Sequence, residues 1–257
     1  MKPLITYFLS ILMTTAFAST LGFASDQDGQ VRVEVSLEVL LTPATGFEEK
    51  NNIEVVLYGY LLNGCYTLAD SSFEKLDDHT FRVHQFALRD TTGVCADEAS
   101  MPEHMKMFVP FTQEVSFGRL SAGNYQFYYE KTGGGNRFRT MSVSKNISPS
   151  VDTLPYAAVS AISAKDVISS SDHVIVKLTG VLNSSCTSLN SAVPLMREND
   201  VIVLLPQITV DPNVLCTQVL TPFEKVVDLG LLTPGIYLLH TRSMNGRAVN
   251  QVINVVN

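Results

Sequence analysis

The chain has 257 residues, 46% of them hydrophobic, with 25 acidic against 18 basic side chains and a net charge of −7. No basic patch is present to meet phosphate, which excludes nucleic acid as a partner class, and the mild acidity speaks for solubility. The apolar content is enough for two domains of roughly 100 to 120 residues, each with its own core.

The first 24 residues read as a secretory signal peptide. Lys2 supplies a positive start, 4–18 is an uncharged apolar run, and the small-residue sites Ala16-Phe17-Ala18 and Gly22-Phe23-Ala24 follow. The run is too short for a membrane span, and no cysteine near the cleavage site suggests a lipid anchor. The mature chain is therefore expected to be secreted or periplasmic, without an integral membrane segment.

From residue 31 the pattern is that of strands. Val31, Val33, Val35, Leu37, Val39 and Leu41 alternate with Arg32, Glu34, Ser36 and Glu38, the period of one half-buried strand over 31–41. Further strands are expected over 53–62, 80–88, 109–117, 124–131 and 137–144, the last two joined by a hairpin loop at Gly133-Gly134-Gly135-Asn136. A second series follows over 157–162, 174–182, 201–210, 226–229, 236–243 and 248–256, with its last turn at Asn245-Gly246. Residues 148–155, rich in Ser and Pro, read as a short stiff linker.

The two series are copies. Pro110-Phe111, Val115, Phe117-Gly118, Leu120, Gly123 and Tyr125 recur 112 positions later as Pro222-Phe223, Val227, Leu229-Gly230, Leu232, Gly235 and Tyr237. Upstream, Gly59, Leu61, Cys65 and Leu68 match Gly180, Leu182, Cys186 and Leu189 at an offset of 121. The change of offset places a nine-residue insertion between Cys95 and Pro110. The organisation is a tandem repeat over 26–147 and 156–257, read as two antiparallel sandwiches of regularly spaced strands without a long helix.

Four cysteines in an exported chain should form disulfides. The repeat favours Cys65–Cys95 and Cys186–Cys216, each pair 30 positions apart, so that each copy closes its own loop. Closing such a loop contributes about 3 to 4 kcal/mol on the chain-entropy model. A zinc site is disfavoured because the cysteines are not closely paired and no His sits a few positions away.

Leu120-x-x-Gly123-x-Tyr125 and Leu232-x-Pro234-Gly235-x-Tyr237 resemble the tyrosine corner of immunoglobulin-like sandwiches. The longer pattern, from Gly-x-Leu through the two cysteines to Pro-Phe and Tyr, resembles modules of secreted bacterial proteins of unknown function. The resemblance implies two disulfide-clipped immunoglobulin-like domains in which Gly123, Tyr125, Gly235 and Tyr237 act structurally. The chain has no Trp, and Phe127 and Leu239 stand where antibody domains place their second cysteine. A fold of this kind does not carry a function with it.

Chemistry-bearing clusters are few. Met101, His104, Met105 and Met107 in the insertion offer thioether and imidazole donors suited to Cu(I), against the alternative that the methionines pack on the sandwich. Asp70, Glu74, Asp77 and Asp78 lack the ordered spacing of a calcium loop and read as solvated turns. No G-x-S-x-G elbow accompanies the five scattered histidines. The sequence is thus read as that of a non-enzymatic exported protein, cofactor-free, acting through protein or cell-surface contacts. The insertion is its favoured contact surface, and a periplasmic copper-binding protein is the alternative.

Overall fold

A computed structural model describes residues 29–62, 64–95, 107–147 and 154–257. The signal peptide assigned to 1–24 lies outside the described residues. The first domain comprises β1 (Gln30–Val35), β2 (Val39–Leu41), β3 (Phe47–Glu48), β4 (Ile53–Leu62), β5 (Tyr66–Lys75), β6 (Thr80–Asp90), β7 (Phe108–Gly118), β8 (Gly123–Glu130) and β9 (Asn136–Ser144). One sheet runs β2-β4-β7 and the other β1-β6-β8-β9-β3, with β5 added along β6. Between them lies a core that includes Leu40, Phe47, Leu57, Phe127 and Met141.

The second domain comprises β10 (Ala158–Ser163), β11 (Val167–Ser169), β12 (Ile175–Leu182), β13 (Thr187–Leu189), β14 (Leu195–Glu198), β15 (Val201–Leu204), β16 (Ile208–Val210), β17 (Thr221–Asp228), β18 (Gly235–Ser243) and β19 (Arg247–Val256). Its sheets are β10-β12-β17 and β11-β19-β18-β15-β14, with a ribbon of β13 and β16. Leu178, Ile202, Leu204, Leu239 and Ile253 fill its core. The protein is all-β, two sandwich domains with one disulfide each.

The repeat holds at the level of individual strand pairings. Gly59 faces Phe111 across β4–β7, and Gly180 faces Phe223 across β12–β17. Tyr66 faces Arg89 as Thr187 faces Val210. Thr80 lies beside Gln126 in a parallel pair, as Val201 lies beside Leu238. Parallel contacts also join β3 to β9 and β11 to β19, so the otherwise antiparallel sandwiches contain four parallel strand pairs among the described residues.

Several expected strands are cut differently, each for a physical reason. The 31–41 run divides between the two sheets: β1 pairs with β6, and β2 pairs with β4. Its alternation breaks as well, since Leu37 and Leu40 face the first core while Leu41 and Val39 point the other way. Both faces of β2 are buried because the second domain covers the outer one. The expected strand over 201–210 ends at Leu204 and resumes at Ile208, because Pro206 cannot donate to a ladder. The first copy shows only a register shift between Leu68 and Ser71 at the matching place on the partner strand. β5 and its counterparts β13 and β14 escape a periodicity reading because they are largely exposed and polar.

The linker expected over 148–155 overlaps the second domain's ladder. Pro155 O accepts from Ile208 N at 3.0 Å, and Ala157 N donates to Pro206 O at 2.9 Å. The last hairpin turns through Met244–Gly246, where Asn245 and Gly246 take left-handed φ values of 64° and 68°.

Candidate functional site

A concavity of about 680 Å³ opens at the end of the first sandwich. Val33 to Ser36 form one wall and Tyr60 and Leu61, at the end of β4, form the other. Tyr66, Arg89, Phe108 and Thr132 complete the lining. The groove exists because β1 pairs only with β6 and leaves its other edge open toward the second sheet.

Strand parity decides which side chains face into it. Val33 pairs with Ala87 and Val35 with Gln85, and both valines pack on the core. Arg89, two residues beyond Ala87, shares that inner side. Glu34 pairs with Phe86 on the opposite face, where His84 Nδ1 approaches its carboxylate at 2.6 Å. Arg32, on the same outer face, lies 3.6 Å over the Phe86 ring and bonds Asp70. On the face of β4 opposite Leu57 and Leu61, burial pushes the Tyr58 phenol above its ordinary range, helped by the Tyr60 hydroxyl 3.3 Å away.

Phe108 lines the groove and is 68% exposed, and its chain neighbours Met107 and Val109 are 64% and 52% exposed. Three consecutive exposed apolar side chains at the rim of a groove are a feature of interaction surfaces. Of the residues considered for copper, Met101, His104 and Met105 lie outside the described residues, and Met107 projects into solvent at the start of β7.

The disulfides join Cys65 to Cys95 and Cys186 to Cys216, with Cα separations of 5.5 and 5.3 Å. Cys65 immediately precedes β5 and Cys95 follows β6, so the bond closes the open end of that hairpin beside the groove. The second disulfide sits at the same place, and Asp90 N–Cys65 O (2.8 Å) has its counterpart in Asp211 N–Cys186 O (2.9 Å). Tyr125 donates its hydroxyl to Ser121 O at 2.8 Å, and Tyr237 donates to Thr233 O at 2.9 Å. Gly123 leaves room for His79: a Cβ there would lie 2.7 Å from the imidazole Nε2. At Gly235 the nearest atom would be an ordinary contact with Tyr237 at 3.5 Å.

The two domains meet along a buried seam. Leu41 and Val56 of the first pack against Val201, Val203 and Leu238 of the second. Each domain also sends an arginine across. Arg139 reaches Asp200, and Arg242 bonds Gly46 O and lies 4.5 Å over the Phe47 ring. Glu198 accepts from Ala44 N and Thr45 Oγ1, and Asn250 donates to Glu114. His240 is enclosed here, edge-on to Phe47 and bonded through Nδ1 to Asn250 at 2.8 Å. Burial, with Arg242 adding to it, holds its pKa down to about 3.

The acidic residues near 70–78 are engaged locally. Asp77 accepts from His79 N at 2.8 Å, Lys75 pairs with Asp78 at 2.7 Å, and Asp70 takes Arg32. His173 lies 2.9 Å from Asp228, and this hydrogen bond together with the Gly230 N–H keeps the Asp228 carboxyl below its usual range. No group of three His, Cys, Asp or Glu residues able to hold a metal occurs among the described residues. No helix among them is long and apolar enough to cross a membrane.

Sequence reading missed Tyr60, Tyr66 and Arg89 as site residues. The signal was available in the repeat itself. The counterparts of these three residues are Val181, Thr187 and Val210, whereas the glycines, cysteines, Pro-Phe pair and tyrosines of the framework are the same in both copies.

Residues 176–255, from β12 to β19 of the second domain, match the family model described as the ORF11 beta-sandwich domain. No curated protein matches the chain. No solved structure matches it either.

Proposed function

We propose that the protein is an exported, non-catalytic binding protein of two immunoglobulin-like modules, akin to those of secreted bacterial proteins, acting through protein or cell-surface contacts. The contact surface is the open end of the first module. The observation that carries this reading is the exposed strip Met107–Val109 at the rim of the groove. Export is supported by the leader-like N-terminus and by two disulfides, which persist in oxidising compartments. The second module supports the first through the buried seam.

The test is retention of the oxidised mature protein on the envelope fraction of the producing organism, comparing wild type with Phe108→Glu. Binding by the wild type that the substitution abolishes, with an unchanged circular dichroism spectrum, is the expected result. Equal binding by the two proteins, or none by either, overturns the assignment of this surface.

A further inference from the structure

We infer that the seam between the two domains is a pH-sensitive latch: acidification places a charge on His240 and lets the folded sandwiches part. The latch is built from residues of the seam and does not depend on the groove.

Leu239 lies in the second core, so its neighbours Leu238 and His240 on β18 face the first domain, with Arg242 on the same side. His240 is 2% exposed. Across the seam, Asn250 Nδ2 donates to Glu114 Oε1 at 2.9 Å, which turns Asn250 Oδ1 toward His240 Nδ1. The neutral ring therefore carries its proton on Nδ1. Nε2 is buried without a hydrogen-bond partner among the described residues, so a second proton finds no acceptor there. Such a charge is costly in the closed seam, whereas water solvates it once the domains part. Burial and then the Arg242 cation oppose it. The apolar residues around it, Val203 on β15, Leu41 on β2 and Val56 on β4, do not titrate. The carboxylates on the facing elements are Glu48 beside Phe47 on β3, Glu54 on β4 and Glu114 on β7, and the hydrogen bond of the ring goes to Asn250 and to none of them. Farther along, Asp200 is held by Arg139, and Glu198 by Ala44 N and Thr45 Oγ1.

The first copy shows that the ladder itself does not call for these residues. His240 faces Asn250 across β18 and β19 as Tyr128 faces Phe138 across β8 and β9. The Tyr128 and Phe138 rings lie 5.7 Å apart, and Phe138 is largely exposed. An imidazole thus stands only in the copy where the neighbouring domain covers this position. A solvated imidazole takes its proton near pH 6.5, and the enclosed ring resists it down to about pH 3. The contribution of His240 to closure is therefore full above pH 6.5. Below it, each pH unit favours the open form about tenfold.

Small-angle scattering by the full mature protein between about pH 7.5 and 4.5, with far-UV circular dichroism on the same samples, tests the latch. Wild type is compared with Arg139→Gln, which loosens the seam without touching His240. The radius of gyration is expected to rise on acidification, at a higher pH in Arg139→Gln than in the wild type, while the strand signal stays constant. His240→Asn, which cannot charge, is expected to keep either protein compact over the same range. The NMR titration of the His240 imidazole should coincide with the expansion. No expansion of either protein, or an equal expansion after His240→Asn, overturns the inference. So does expansion accompanied by loss of strand signal, or a protonated His240 in a chain that stays compact.

Discussion

Arg139 of the first domain grips Asp200 of the second through two guanidinium nitrogens, at 3.0 and 2.5 Å. Asp200 occupies the repeat position of His79, and the backbone carbonyls of the two residues accept equivalent bonds from Leu238 N and Gln126 N. The same turn that stays on the surface in one copy has become half of a domain contact in the other. Both side chains of the pair are about a quarter exposed, at 21% and 29%, so solvent screens part of their attraction. Arg139→Gln is expected to cost about 1 to 2 kcal/mol. It should also begin to separate the urea unfolding of the two domains, which intrinsic fluorescence and far-UV circular dichroism would register as non-coincident curves.

Gly180 and Gly59 each sit under a phenylalanine ring across a ladder, yet they should not tolerate substitution equally. A Cβ on Gly180 would lie 2.2 Å from the Ala158 carbonyl oxygen and 2.8 Å from Phe223. On Gly59 its closest contact would be the edge of Phe111 at 2.8 Å, with the Ser36 carbonyl at 3.4 Å. A ring can tilt, whereas a ladder carbonyl cannot move without breaking its strand. Gly180→Ala should therefore destabilise by about 2 to 4 kcal/mol and Gly59→Ala by about 1 to 2, measured as midpoint shifts in urea. The reverse order would count against the ladder contact as the cause.

Removing one tyrosine hydroxyl tests the corner that closes each sandwich. Tyr125→Phe leaves Ser121 O without its partner, at a cost of about 1 to 1.5 kcal/mol. Tyr237→Phe should cost at least as much, because that hydroxyl also lies 2.8 Å from Thr233 Oγ1. Thermal denaturation of the two single variants and the double variant decides it, with additivity expected for sites so far apart in the fold.

His240 makes stability depend on pH in a definite direction. Its folded pKa is depressed to about 3 from an ordinary 6.5, so between those values the unfolded chain binds the proton and the folded one does not. Stability from this group is complete above pH 6.5 and falls as the pH drops toward 3, by about 1.4 kcal/mol for each unit. His240→Asn should flatten that slope in urea titrations at pH 7, 6 and 5. An unchanged slope would show that the ring is protonated at no cost in the folded state.

The repeat was legible because folding constraints recur: a glycine under a ring, a disulfide across a hairpin and a tyrosine at a corner demand the same residues wherever the same ladder is built. The strands buried on one face were legible by alternation. β2 and β15 were not, because the neighbouring domain buries their second faces, and Leu40-Leu41 or Val201-Ile202-Val203-Leu204 then loses its period. The groove was hidden for a different reason. Arg89 and Tyr66 are directly paired across β5 and β6 but 23 positions apart in the chain, and nothing in either neighbourhood marks them until the second copy is laid alongside.

The disulfides also change what the chain does under load. Each bond spans 30 residues and closes the ends of one hairpin. A pull on the two termini passes through sulfur and never reaches the strands between, so about 100 Å of extended chain per domain stays slack. Only a thiol that opens the bond would release that length. Pulled from its two ends, the chain would therefore yield in short steps while its disulfides stay oxidised, and in long ones after reduction.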